Sequence, residues 1–171
     1  RALWERVRDD VRHVESDLYL MHPLREFIET APLFDDVDRV TPTIETLTVI
    51  LRGLGDPTMW SAPLLWSGFQ RALVSRDTHS QGQAARSLSA AARGSRFAAA
   101  LSAAAGEWTR TRIDDGDIDR IERVASHLSD VGLAWEGARL AISLSERARE
   151  RRAATRLAAF GRALHPNAAP G

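Results

Sequence analysis

The residues that could carry chemistry are five histidines, a run of acids and a set of tryptophans. His13, His22, His79, His127 and His165 are scattered, and none has a histidine or carboxylate at the spacing of a metal motif such as HExxH. They read as surface or cap histidines, and no metal site is expected. Asp114, Asp115, Asp117, Asp119 and Glu122 resemble a calcium loop. Counted from Asp115, however, the sixth position is Arg120 where glycine makes the turn. The twelfth is Ser126 where a bidentate carboxylate closes the shell. The cluster reads instead as a loop and the first turn of a helix, where carboxylates suit the positive end of the helix dipole.

The chain has no GxxxxGK[ST], GxGxxG or GxSxG motif. It also has no cysteine, which removes disulfides, thiolate zinc sites and a cysteine nucleophile together. No catalytic residue is nominated, no cofactor is expected in this chain, and the protein reads as a non-enzyme. The aromatic residues Trp60, Trp66, Phe69 and Trp108 have two readings. They line a groove that stacks on a sugar or another flat ligand, or they pack as core. Trp135 and Trp4 read as packing residues. Arg147, Arg149, Arg151, Arg152 and Arg156 alternate with Glu146 and Glu150, the pattern of a solvated helix end or a docking surface for another domain.

Helices are the elements that must position these residues. Apolar residues recur at three- and four-residue steps almost everywhere, and no stretch alternates with the period of a strand. Leu3, Trp4, Val7, Val11, Val14 and Leu18 form one stripe, and Leu24, Phe27, Ile28 and Ala31 form a second after Pro23. Thr41-Pro42 reads as an N-cap and first helical position, with Ile44, Leu47, Ile50 and Leu51 inward up to Gly53 and Gly55. Further helices are expected from between Pro57 and Pro63, over about 81–93, 95–112 and 117–131, then over about 134–148 and 150–164. In 134–148, Trp135, Ala138 and Ile142 lie on one side and Leu140 and Leu144 on another, as in a helix packed between neighbours.

The expected starts recur with a period of about 38 residues, within the range of helix-pair repeats. The fold expected is all-α: a right-handed array of antiparallel helix pairs, a tetratricopeptide-like solenoid of about four pairs plus a capping helix. Residues 1–165 are expected to form this domain, and 166–171 a linker to a further domain. No apolar run approaches the roughly 20 residues of a membrane span, and a cytoplasmic protein is expected. The 23 basic residues, all arginine, balance 23 acidic ones, so no direct nucleic-acid contact is expected.

The stretch Ile121-Glu122-Arg123-Val124-Ala125-Ser126-His127-Leu128, followed by Val131-Gly132-Leu133-Ala134-Trp135-Glu136-Gly137-Ala138-Arg139-Leu140-Ala141, resembles the end of the helical-repeat region in large actinobacterial LuxR-type transcriptional regulators. There a GLxWExARLA segment precedes an Arg/Ala-rich helix, matched here by Arg151-Arg152-Ala153-Ala154-Thr155-Arg156-Leu157. Gly161-Arg162-Ala163-Leu164 matches the closing element loosely. The resemblance implies a modular protein: a nucleotide-binding ATPase, then a helical-repeat sensor, then a DNA-binding helix-turn-helix. It further implies a small-molecule effector, an oligosaccharide such as a disaccharide in relatives of the maltose-regulator type. Signal transduction would then run to domains of the same polypeptide outside this chain. The competing expectation is a protein–protein interaction scaffold, with self-association and no small-molecule ligand.

Overall fold

In the computed structural model, residues 37–55 and 58–165 are described, and they form seven α-helices. The stripes expected over residues 1–36, the linker at 166–171, and Trp4, His13 and His22 lie outside the described residues. The chain divides into two compact units, Arg1–Leu88 and Ser89–Gly171. No described helix is long and apolar enough to cross a membrane.

The first unit contains α1 (Val37–Gly53), α2 (Thr58–Val74) and most of α3 (Thr78–Ala91). Helices α1 and α2 pack on each other. Helix α1 buries Leu47, Ile50 and Leu51, while α2 buries Ala62, Leu64, Trp66, Phe69 and Ala72. One expectation is corrected here. Thr41 is not an N-cap, because α1 already begins at Val37 and Pro42 lies inside it. Pro42 is close enough to the start that its missing N–H removes a single bond, the one to the Asp38 carbonyl. Pro63 sits inside α2 in the same way. In both helices a hydroxyl four residues on donates to the proline carbonyl, Thr46 to Pro42 at 2.9 Å and Ser67 to Pro63 at 3.0 Å.

Helix α2 ends in a Schellman motif. The Asp77 N–H donates to the Ala72 carbonyl and the Arg76 N–H to that of Leu73, with Arg76 in the left-handed region at φ 55°. Asp77 then caps α3: it accepts from the Ser80 N–H at 3.0 Å and the Ser80 hydroxyl at 2.5 Å. Those bonds hold its carboxyl below the ordinary value.

The second unit contains α4 (Arg96–Trp108), α5 (Ile118–Asp130), α6 (Ala134–Ser145) and α7 (Arg151–Leu164). Ser95 caps α4 by accepting from the Ala98 N–H. Helix α5 closes in a second Schellman motif, Leu133 N–H to Leu128 and Gly132 N–H to Ser129, with Gly132 at φ 89°. Helix α6 packs against both α5 and α7. It buries Gly137, Ala138, Leu140, Ala141, Ile142, Ser143 and Leu144, which matches its expected two-sided apolar character. Its backbone lies so close to α5 at Gly137 that a Cβ there would collide with the Ala125 carbonyl. At Gly161 of α7 a Cβ would lie 2.8 Å from the Ala138 carbonyl and 2.7 Å from Ile142 Cγ1.

Two helices stop earlier than their periodicity suggests, α4 at Trp108 and α6 at Ser145. Beyond both ends the chain enters a long-range contact. Ile113 is fully buried and forms an isolated parallel bridge with Ala148, and the Arg149 N–H donates to the Ile113 carbonyl at 3.2 Å. The chain must leave both helices to make it. Among the described residues this bridge is the only extended pairing. Helices α2, α4 and α6 begin at residues 58, 96 and 134, and α1, α3 and α5 at 37, 78 and 118. These starts are 38–41 residues apart, beside the expected period of about 38.

Candidate functional site

Helix α2 carries Trp60, Trp66 and Phe69. Trp66 and Phe69 are one turn apart and stack with centroids 5.5 Å apart and planes at 21°. Phe69 is fully buried and Trp66 nearly so, and their rings are used on each other and on the helix core. Trp60 is half-buried on the same helix.

Trp108, in the second unit, has different neighbours. It is the last residue of α4, and the end of that helix is held by a cation. The Arg147 guanidinium donates to the Trp108 carbonyl at 2.7 Å and the Arg110 carbonyl at 2.9 Å, which suits the negative end of a helix. Glu107 beside it is 8% exposed and fully engaged. Arg120 Nε lies 2.8 Å from Glu107 Oε1 and Arg110 Nε 3.0 Å from Oε2. Asp117 joins the same network, 2.6 Å from Arg120 and 3.2 Å from Arg110. Its carboxyl is held below the ordinary value first by the Asp114 backbone N–H and then by the two arginines. Burial works against the Arg120 cation, but the hydrogen bonds it donates to Glu107 and Asp117 outweigh it and raise its pKa. The acidic cluster of the sequence is therefore a structural joint, with Asp115–Asp117 forming a short 3-10 turn into α5.

The Trp108 ring faces a residue that sequence reasoning passed over. The Cζ of Arg139 lies over the Trp108 ring at 5.8 Å and over the Trp135 ring at 4.6 Å. Trp135 and Arg139 are four residues apart on α6, so they share a face, and that spacing was the available signal. Trp135 differs from its expected role as packing anchor: it is 43% exposed, with its ring against the guanidinium. Desolvation pushes the Arg139 pKa down and the field of Glu136 partly opposes this. The group remains a cation, as arginine does in proteins. No hydrogen bond or ion pair joins the Arg139 guanidinium to any described residue. The chain matches no family model, no curated protein and no solved structure.

A concavity lies between α5 and α7. It is open, about 560 Å³ in volume, and its lining includes Asp119, Glu122, His127, Asp130 and Phe160. Arg156 reaches Asp119 at 2.6 Å and Glu122 at 2.6 Å, and these bonds raise its pKa. Among the described residues no group of three or more His, Asp and Glu is arranged to hold a metal ion.

Proposed function

We propose that this chain is the effector-sensing helical-repeat region of a bacterial LuxR-type transcriptional regulator, and that it binds a small molecule. Helix starts that recur every 38–41 residues support the solenoid part of this reading. The single observation that carries the sensing part is the Trp108–Trp135–Arg139 group, an arginine held over two indoles and open at Trp135. Tryptophan and arginine are the side chains that concentrate binding energy where polar groups are desolvated. A ligand there touches the end of α4 and the start of α6. It would favour one arrangement of these helices over another in proportion to its differential affinity, and so pass a signal to neighbouring domains.

Calorimetric titration and thermal melting against mono- and disaccharides, nucleotides and sugar phosphates test the reading. At least one compound should bind saturably and raise the melting temperature. A silent panel counts against sensing. The open groove between α5 and α7, with Phe160 in its lining, supports a second reading, a protein–protein interaction scaffold. That reading predicts concentration-dependent self-association in sedimentation velocity, weakened by Phe160→Ala.

A further inference from the structure

A guanidinium over an aromatic face has its charge answered there, but not its hydrogen bonds. Its five N–H donors lie in the plane of the group, and indole faces offer them no lone pair. Four other arginines of the second unit that are held in place have acceptors: Arg110 and Arg120 reach Glu107 and Asp117, Arg147 reaches two carbonyls, and Arg156 reaches Asp119 and Glu122. Arg139 is partly buried, reaches none of these kinds of acceptor among the described residues, and is fixed in place by Trp108 and Trp135. A positioned, partly desolvated fork of donors matches the paired oxygens of a carboxylate or phosphate. The exposed part of Trp135 lies beside it and offers an apolar surface for a flat ring.

We infer that Arg139, Trp135 and Trp108 form a subsite for a ring-bearing oxyanion: a carboxylate or phosphate takes the Arg139 N–H groups while its attached ring lies on Trp135. This rests on the sensing reading above and names the ligand chemistry within it.

The test uses matched pairs that differ in the oxyanion alone, titrated calorimetrically into the whole chain: AMP against adenosine, and glucuronate against glucose. At least one anionic member should bind tenfold or more tighter than its neutral partner. The first pair reports a phosphate and the second a carboxylate. Binding should weaken as NaCl rises from low concentration to 0.5 M. Arg139→Gln should bring the anion down to the affinity of its neutral partner, and Trp135→Ala should weaken it about tenfold, with the helical circular dichroism of each variant checked. The comparison on the unaltered chain decides the matter even if a variant fails to fold. Equal binding within both pairs, or anion binding unchanged by Arg139→Gln, overturns the inference and leaves the sensing reading standing. No binding by any of the four compounds overturns the inference, and the wider panel then decides the sensing reading by itself.

Discussion

The two units differ in how closely their helix backbones approach one another. In the first, bulk does the work: Leu47 and Leu51 of α1 and the stacked Trp66 and Phe69 of α2 are buried large side chains. In the second, large side chains such as Leu101, Ile121, Leu140 and Leu157 are buried too, but the backbones also come close where side chains are missing, at Gly137 against Ala125 and at Gly161 against Ala138. Arginines then fasten the joints. The helix ends show the same contrast. Both α2 and α5 finish in a Schellman motif, but the left-handed position is Arg76 in one and Gly132 in the other. Buried bulk makes both units vulnerable to truncation, and close approach makes the second vulnerable to enlargement as well.

The largest expected effect tests the first half of that contrast. Phe69→Ala should cost about 4 kcal/mol in urea denaturation, since it removes a fully buried ring and leaves a cavity. The second half is tested by adding atoms. Gly137→Leu should cost about 3 kcal/mol, because the obstruction is the Ala125 backbone and cannot rotate away. A neutral result would break the comparison.

Smaller effects of opposite sign are expected at the two Schellman ends. Gly132→Ala should destabilise by ~1 kcal/mol and Arg76→Gly should stabilise by up to ~1 kcal/mol, read from the same melts. The smallest effect separates the two capping aspartates. Asp77 is held by the Ser80 hydroxyl and N–H, whereas Asp117 is held by a backbone N–H and by Arg120 and Arg110. Asp117→Asn should cost about 0.5–1 kcal/mol at low salt and less in 0.5 M NaCl. Asp77→Asn should show little change with salt.

Both carboxyls titrate below their ordinary value of 3.8 in the folded chain. Their stabilisation is therefore fully present above that pH. It fades as pH falls below 3.8 towards the depressed folded values. Acid unfolding of the Asp117→Asn variant should have a shallower limb in that window than the parent.

Helix existence was legible because burial follows the stripes. Ile118, Ile121 and Leu128 repeat at helical steps and are all buried in α5. Helix ends were less so. Thr41-Pro42 carries a local start signal, yet α1 runs through it. The ends of α4 and α6 depend on Ile113 meeting Ala148 and on Arg147 reaching back to Trp108, contacts between residues more than thirty positions apart. Local periodicity contains no information about them. At the candidate site Trp108 was visible as an aromatic residue at helical spacing. Arg139 was not, because its significance lies in the acceptors it lacks, and the sequence offers acids such as Glu136 close by.

The bridge from Ile113 to Ala148 also has a topological consequence. It brings together the two ends of the segment that contains α5 and α6, with the Arg149 N–H bonded to the Ile113 carbonyl. Residues 113–148 are nearly as long as the spacing of the helix starts. The clasp therefore closes α5 and α6 into one loop of chain, tied at its base by a buried isoleucine.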